Sequence, residues 1–314
     1  MKHFISTKEV ADLTGLIKTS KEIKQNPHAD SELGRNKTLG LVFFNSSLRT
    51  RMSTTRAAYN LGMNVIALNV SSDSWQLEFS DGIRMDGGTA EHIREAVPVL
   101  CSYCDIIGVR SFPALVNREE DYSEKVINSF IEFGTCPVVN LESATLHPLQ
   151  SFTDMMTIEE FKSVDRPKVV MTWAPHIKAL PQAVSNSFLQ WAKQMDFELT
   201  ITHPEGLELA SEFTEGIQVE YNQEKAFEKA DFVYVKNWSS YQDYGKVVDQ
   251  PDWEITLEKL RNTNEAKVMH CLPVRRNVVI ADNVLDSDHS IVIPQAQNRL
   301  FTAQTILKEI LTCL

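Results

Sequence analysis

The sequence predicts an α/β protein made of two doubly wound, mainly parallel sheets. Three observations carry that expectation. The chain has 314 residues, which at roughly 100–200 residues per domain suggests two domains, each able to bury its own core. Its short apolar runs are rich in Val, Ile and Phe without strict alternation, as strands covered on both faces read. Longer segments with helical spacing lie between them, which makes βαβ units.

Taken in order, Ser6-Thr-Lys-Glu9 reads as a capping box before an amphipathic helix carrying Val10, Leu13 and Ile17. Strands are expected over 38–44, 64–69, 105–109 and 136–140, with helices over 49–61 and 89–103. After a break near 140–150, strands over 168–173, 197–202, 232–235, 267–271 and 290–293 alternate with helices over 153–163, 182–194 and 254–262. The segment from Ala296 to Leu314 places Leu300, Ala303, Ile306, Leu307, Ile310 and Leu311 on one side, so it reads as a terminal helix that must dock. The expected division is residues 1–145, completed by the terminal helix 296–314, and residues 146–295.

Composition narrows function. Lys and Arg total 31 against 42 Asp and Glu, a net charge of -11, opposite to the basic footprint of a nucleic-acid or membrane-surface binder. No run approaches the ~18 apolar residues of a membrane span, and the start lacks a basic stretch before an apolar core, so a soluble, cytoplasmic protein is expected. The five cysteines come without a secretory signal, which speaks against a disulfide framework. Cys101-Ser-Tyr-Cys104 has CxxC spacing but follows Ile93, Val97 and Leu100 on an apolar helical face, so packing is the better reading. No metal or other cofactor is expected.

In open α/β sheets, ligands sit beyond the carboxyl ends of the strands. The polar residues of this chain gather there: Ser47-Leu-Arg-Thr-Arg51 after the first strand, Arg110, then Glu142 and His147-Pro-Leu-Gln150, His176, Lys236, and His270-Cys-Leu-Pro-Val-Arg275-Arg276. In the first stretch Ser46 or Ser47 can cap a helix beginning near Leu48, so free N–H groups and the positive end of the helix dipole converge with hydroxyls. Arg49 and Arg51 add planar forks suited to phosphate. Neither a Walker pattern nor GxGxxG follows an early strand, which weighs against nucleotides and dinucleotides. His147 can donate to a carbonyl and Gln150 can partner an amide. Cys271 sits in an apolar run as core cysteines do, but Leu272 and Pro273 after it suggest a turn whose carbonyls could receive an ammonium or amide.

Ser47-x-Arg-Thr-Arg51, Gly108-Val-Arg110, His147-Pro-x-Gln150, His270-Cys-Leu-Pro273 and Asn298-Arg299, in this order, resemble the aspartate/ornithine carbamoyltransferases over roughly residues 40 to 300. The resemblance implies two α/β domains bridged by the terminal helix, a trefoil knot around Ala174-Pro175 to Pro181 in the second, and a homotrimer with active sites shared between subunits. It implies carbamoyl phosphate bound by Ser47, Leu48, Arg49, Thr50, Arg51, Trp75, Arg110, His147, Gln150, Cys271, Leu272 and Arg299. Arg110, His147 and Thr50 are the expected catalytic residues, stabilising the developing oxyanion, while Arg49, Arg51 and Arg299 hold the departing phosphate.

Departures from the family pattern bear on the acceptor. Ornithine enzymes carry Asp in a Thr-Asp-x-Trp segment, where this chain has Val235-Lys236-Asn237-Trp238. A lysine would repel a free α-ammonium but can pair with a carboxylate once that nitrogen is acylated. Thr89-Ala-Glu-His92 stands where the acetylornithine branch has Thr-Glu-Glu-His, so Ala90 removes a charge that would oppose a succinyl carboxylate. The expected reaction is carbamoyl transfer to N-succinylornithine, in arginine biosynthesis, with N-acetylornithine the alternative acceptor. Ala90, Glu142, His176, Lys236, Cys271, Leu272 and Arg275 or Arg276 are the expected acyl-ornithine residues, with Trp75 and the Ala90 region serving a neighbouring subunit. Gln295 and Gln297 replace the family's usual glutamates before Arg299. A nonenzymatic anion-binding α/β regulator is the alternative from a different class.

Overall fold

The computed structural model describes all residues from Met1 to Leu314 and divides into two compact units. The first comprises Met1–Pro113, Glu119–Leu149 and Arg299–Leu314; the second comprises Ala114–Arg118 and Gln150–Asn298. The sequence placed the break at residue 145, and the units part at residue 149.

In the first unit, helix α1 (Leu13–Gln25) precedes β1 (Thr38–Phe43), α2 (Leu48–Asn60), β2 (Asn64–Asn69), the short β3 (Leu77–Glu78) and β4 (Glu91–His92), α3 (Ile93–Tyr103), β5 (Ile106–Arg110), α4 (Lys125–Phe133) and β6 (Val138–Glu142). Its main sheet has the order β2-β1-β5-β6, and every pair is parallel. The chain therefore winds outward from β1 to β2 and resumes on the other side with β5. That reversal makes the crevice beyond the carboxyl ends of β1 and β5 the place where a ligand is expected. Gly108 lets the central strand pack closely, since a Cβ there would lie 2.9 Å from the Leu141 side chain. Val42, Val97, Ile107, Val109, Ile127, Phe130 and Cys104 form the core beneath this sheet, consistent with the packing reading of the CxxC pair.

In the second unit, α5 (Pro148–Phe161) leads to β7 (Lys168–Trp173), α6 (Ala183–Ala192), β8 (Glu198–Thr202), β9 (Gln218–Glu220), β10 (Phe232–Lys236), β11 (Lys267–Met269) and α7 (Val292–Leu311). The sheet order is β11-β10-β7-β8-β9, again parallel throughout. Here the reversal falls between β7 and β10. Val170, Phe227, Val233, Val235, Val268 and Ile280 sit in its core. No helix is long and apolar enough to cross a membrane.

The end of α7 belongs to the first unit and docks there through polar contacts as well as its apolar side. Ser20 and Thr305 hydroxyls lie 2.7 Å apart, Asn60 donates to Gln304 at 2.9 Å, and Lys308 pairs with Asp30 at 2.6 Å.

Several elements differ from the sequence expectation. The capping box closes a 3-10 turn over Thr7–Glu9, and Val10 is extended; α1 begins at Leu13, where the Asp12 side chain accepts from Gly15 at 2.9 Å. Residues 290–293 are not a strand. Ser290 makes one bridge to Val268, and α7 opens at Val292, its first turn tolerating Pro294 because N–H groups there have no intrahelical acceptor and none is lost. Segment 254–262 shrinks to one helical turn at Leu257–Leu260, since Ile255 is engaged in a bridge to Ile280. Strand β9 was too short and too exposed to show an apolar run.

Candidate active site

At the reversal point of the first sheet, Thr50, Arg110, Glu142, His147 and Arg299 form one buried polar cluster, each no more than 8 % exposed. Thr50 stands in the first turn of α2, with Ser47 in the cap position. Ser47 makes no side-chain cap bond, so the sequence expectation of a serine-capped helix holds for position only. Arg110 ends β5 and Glu142 ends β6. The β5–β6 register shifts after Val109, so that Asn140 faces Val109 and Glu142 faces Arg110. That irregularity aims the two side chains at each other.

The contacts are specific. Arg110 Nη1 donates to Glu142 Oε2 at 2.5 Å and to Thr50 Oγ1 at 3.4 Å. Arg299 Nη2 donates to the same hydroxyl at 2.6 Å, and His147 Nε2 lies 3.5 Å from Glu142 Oε2. The Arg110 guanidinium also lies 4.4 Å from the Phe112 ring centre, a cation–π contact. Two guanidinium groups thus converge on one hydroxyl, with an imidazole alongside and one carboxylate to offset their charge. Such a buried site is suited to anionic oxygen and to charge that develops on a carbonyl. The acyl-ornithine expectation for Glu142 meets a different setting, since it stands among the residues assigned to carbamoyl phosphate.

The rest of the first motif lies at the rim. Leu48 is exposed, Arg49 is half-buried, and Arg51 is exposed with its guanidinium 5.8 Å from the Phe43 ring. If Arg49 contacts the phosphate, Arg49→Ala will weaken carbamoyl phosphate binding at least about tenfold, the worth of one charge-assisted bond, while thermal melting stays unchanged. Calorimetric titration checks both halves, and unchanged affinity would remove the assigned role. Trp75 is exposed, and its indole N–H donates to Glu91 Oε2 at 2.7 Å. Ala90 is exposed and its N–H donates to Gln76 O at 3.1 Å. These two segments are therefore tied to each other.

In the second unit, the reversal between β7 and β10 brings His176 and Lys236 to the same sheet edge. Lys236 is 7 % exposed, and its ammonium has no hydrogen bond or ion pair within the chain. Residues flanking it are fixed: Asn237 Nδ2 donates to Ala174 O at 3.0 Å, and Gln182 Nε2 to Ser239 O at 2.6 Å. Arg275 Nε donates to His176 Nε2 at 3.3 Å. Burial, with the Lys236 and Arg275 cations nearby, holds the His176 imidazole below its usual value. We expect His176 to titrate below a free imidazole and Lys236→Met to move it back toward the ordinary range, read from ring resonances by NMR. No change in the variant would take Lys236 out of its surroundings. Arg276 is not brought to this group, because its guanidinium is engaged with Asp282 at 2.9 Å and Asp286 at 2.7 Å.

Gln150 and the turn at Cys271-Leu272 are linked by a relay absent from the sequence reading. Gln150 Nε2 and Gln295 Nε2 both donate to Asp154 Oδ1 at 2.7 Å, and His270 N donates to Gln295 Oε1 at 2.9 Å. The turn closes with Leu272 N donating to His270 Nδ1 at 2.9 Å. Gln295 accounts for one departure from the family pattern: its amide offers a donor to the buried Asp154 carboxylate and an acceptor to the backbone, which an ionised glutamate could not do. The spacing of Gln150 and Asp154 on α5, one helical turn, was a signal the sequence contained.

Two family descriptions cover most of the chain. Residues 2–160 match "Aspartate/ornithine carbamoyltransferase, carbamoyl-P binding domain" and residues 181–310 match "Aspartate/ornithine carbamoyltransferase, Asp/Orn binding domain". The chain belongs to the aspartate/ornithine carbamoyltransferase family. Within that family it is 52% identical over 314 residues to the N-succinylornithine carbamoyltransferase of Bacteroides fragilis, covering 99% of both chains. It is 36% identical over 331 residues to the N-acetylornithine carbamoyltransferase of Xanthomonas campestris pv. campestris, covering 98% of this chain and 97% of that one. Among carbamoyltransferase structures, one similar to it is a glutamate-to-alanine mutant of N-acetyl-L-ornithine transcarbamylase complexed with carbamyl phosphate and N-succinyl-L-norvaline. That structure superimposes with a TM-score of 0.93 at 34% identity, covering 99% of this chain and 100% of the other.

Proposed function

We propose that the protein transfers the carbamoyl group of carbamoyl phosphate to the δ-amino group of N-succinyl-L-ornithine, giving N-succinyl-L-citrulline and phosphate. The observation that carries the reading is the convergence of Arg110 and Arg299 on the Thr50 hydroxyl, beside His147. Thr50, Arg110 and His147 surround the carbamoyl oxygen, while Ser47, Leu48, Arg49, Arg51 and Arg299 hold the phosphate. The neutral amine attacks the carbamoyl carbon; the new C–N bond forms, the bond from that carbon to the oxygen bridging to phosphorus breaks, and phosphate leaves with that oxygen and the electron pair. The leaving phosphate takes the proton the amine releases. Catalysis rests on positioning and on donors already aimed at the oxyanion.

The acceptor assignment is supported by Lys236, a buried side chain left for a substrate carboxylate, with His176 near it and Arg275 bonded to that imidazole. At position 90 the chain has Ala, which adds no charge there to oppose a succinyl carboxylate, and the neighbouring Glu91 accepts the Trp75 indole N–H. Greater identity to the N-succinylornithine enzyme than to the N-acetylornithine one points the same way. A homotrimer in which Trp75 and Ala90 complete a neighbour's site accords with the exposed apolar side chains of Leu48, Met52, Ile66 and Trp75.

Incubation with carbamoyl phosphate and N-succinyl-L-ornithine should give the ureido product and phosphate one for one. Phosphate release without ureido product, or binding without turnover, would overturn the assignment, the latter in favour of a nonenzymatic anion-binding protein.

A further inference from the structure

We infer that Glu124 is a positioning residue for His147, acting through the loop that joins the two ends of the buried cluster. The inference rests on the part His147 plays in the proposed reaction. Residues 143–146 are all that separate Glu142 from His147 in the chain, and Glu124 fixes three of them. Its carboxylate accepts from Ser143 Oγ at 2.7 Å, Ala144 N at 3.2 Å, Thr145 N at 2.7 Å and Thr145 Oγ1 at 2.5 Å. The loop is also closed on itself, with Ser143 N donating to Leu146 O at 2.8 Å and Asn140 Nδ2 donating to Ser143 Oγ at 3.1 Å.

This arrangement is more than a loop contact. Glu124 holds a left-handed backbone at φ 52, a strained conformation for a residue with a side chain, which persists only where its surroundings fix it. Burial pushes its carboxyl above the ordinary carboxylate range even though the donors pull the other way. A strained residue thus places a buried acceptor under consecutive donors, two residues before the imidazole that faces Glu142 at 3.5 Å. Without the carboxylate, the N–H groups of Ala144 and Thr145 lose their acceptor and the loop is free to shift. His147 then loses its aim while Arg49, Arg51 and Arg299 still grip the phosphate.

The test is a double-mutant cycle on turnover of N-succinyl-L-ornithine. Glu124→Ala lowers kcat on the order of 100-fold, the effect of roughly an ångström of misplacement, with KM for carbamoyl phosphate little changed. Glu124→Gln, which keeps one acceptor oxygen, falls between it and the native enzyme. In a His147→Ala background, Glu124→Ala lowers kcat no further, because nothing remains to be positioned. An equal loss in both backgrounds would show that Glu124 acts independently of His147 and would overturn the inference. Native kcat in His147→Ala alone would instead remove the role of His147, and the inference with it. If Glu124→Ala does not fold by circular dichroism, Thr145→Val decides the same cycle: it removes one donor at similar volume and gives a smaller loss only when His147 is present.

Discussion

Replacing Arg110 with alanine lowers kcat on the order of 100- to 1,000-fold, the typical cost of removing one preorganised oxyanion donor. The guanidinium is held by three neighbours at once, Glu142, Thr50 and the Phe112 ring, so it is already aimed before substrate arrives. Removing it also leaves Glu142, 6 % exposed, without its cation. Breaking a buried pair from one side costs about 3–5 kcal/mol, so the variant should melt earlier as well. The two effects separate in the double variant Arg110→Ala/Glu142→Gln, which removes the stranded charge. Thermal stability should recover substantially and turnover should not. Recovery of both would mean that Arg110 serves the fold alone, and native turnover in the single variant would exclude it from catalysis.

Introducing a carboxylate at Ala90 reverses acceptor preference. The wild-type segment sets Ala90 beside Glu91, whose carboxylate accepts the Trp75 indole N–H; a glutamate at position 90 adds a second negative charge to that segment. A like charge brought against the succinyl carboxylate costs several kcal/mol, so Ala90→Glu should lower kcat/KM for N-succinyl-L-ornithine on the order of 100- to 1,000-fold relative to N-acetyl-L-ornithine. Ala90→Gln, of similar size without charge, separates repulsion from crowding. It should retain most of the succinyl preference. If Gln and Glu act alike, the charge argument fails and only space at position 90 matters.

The strand ends of the candidate site were legible because the topology of an open α/β sheet places its crevice there. Apolar runs without alternation located β1, β5, β6, β7 and β10, and the polar residues at or beyond their carboxyl ends included Thr50, Arg110, His147, His176 and Lys236. What was not legible came from pairings across the chain. Nothing near Glu124 indicates that its carboxylate serves residues 19 to 21 positions later, and no periodicity shows that Glu142 faces Arg110 through a shifted register. Arg275 and Arg276 are adjacent and chemically alike, yet only the fold shows that Asp282 and Asp286 engage the second. The β-branched run at 290–293 misled for a local reason: propensity favoured a strand, while Ser290 keeps only one bridge and α7 takes Val292 and Ile293 into its first turn. Asp154 is the intermediate case, since its distance of one helical turn from Gln150 was in the sequence and its link to Gln295 was not.

The central claim is that this carbamoyltransferase acts on an N-acylated ornithine and prefers the succinyl form. It is tested most directly by measuring kcat/KM for ornithine, N-acetyl-L-ornithine and N-succinyl-L-ornithine side by side with saturating carbamoyl phosphate, following ureido product. The expected order is N-succinyl-L-ornithine first, N-acetyl-L-ornithine second and free ornithine last, as the proposed roles of Lys236 in repelling a free α-ammonium and of Ala90 in admitting the added carboxylate require. Preference for free ornithine would contradict the account at Lys236, and preference for N-acetyl-L-ornithine would contradict it at Ala90.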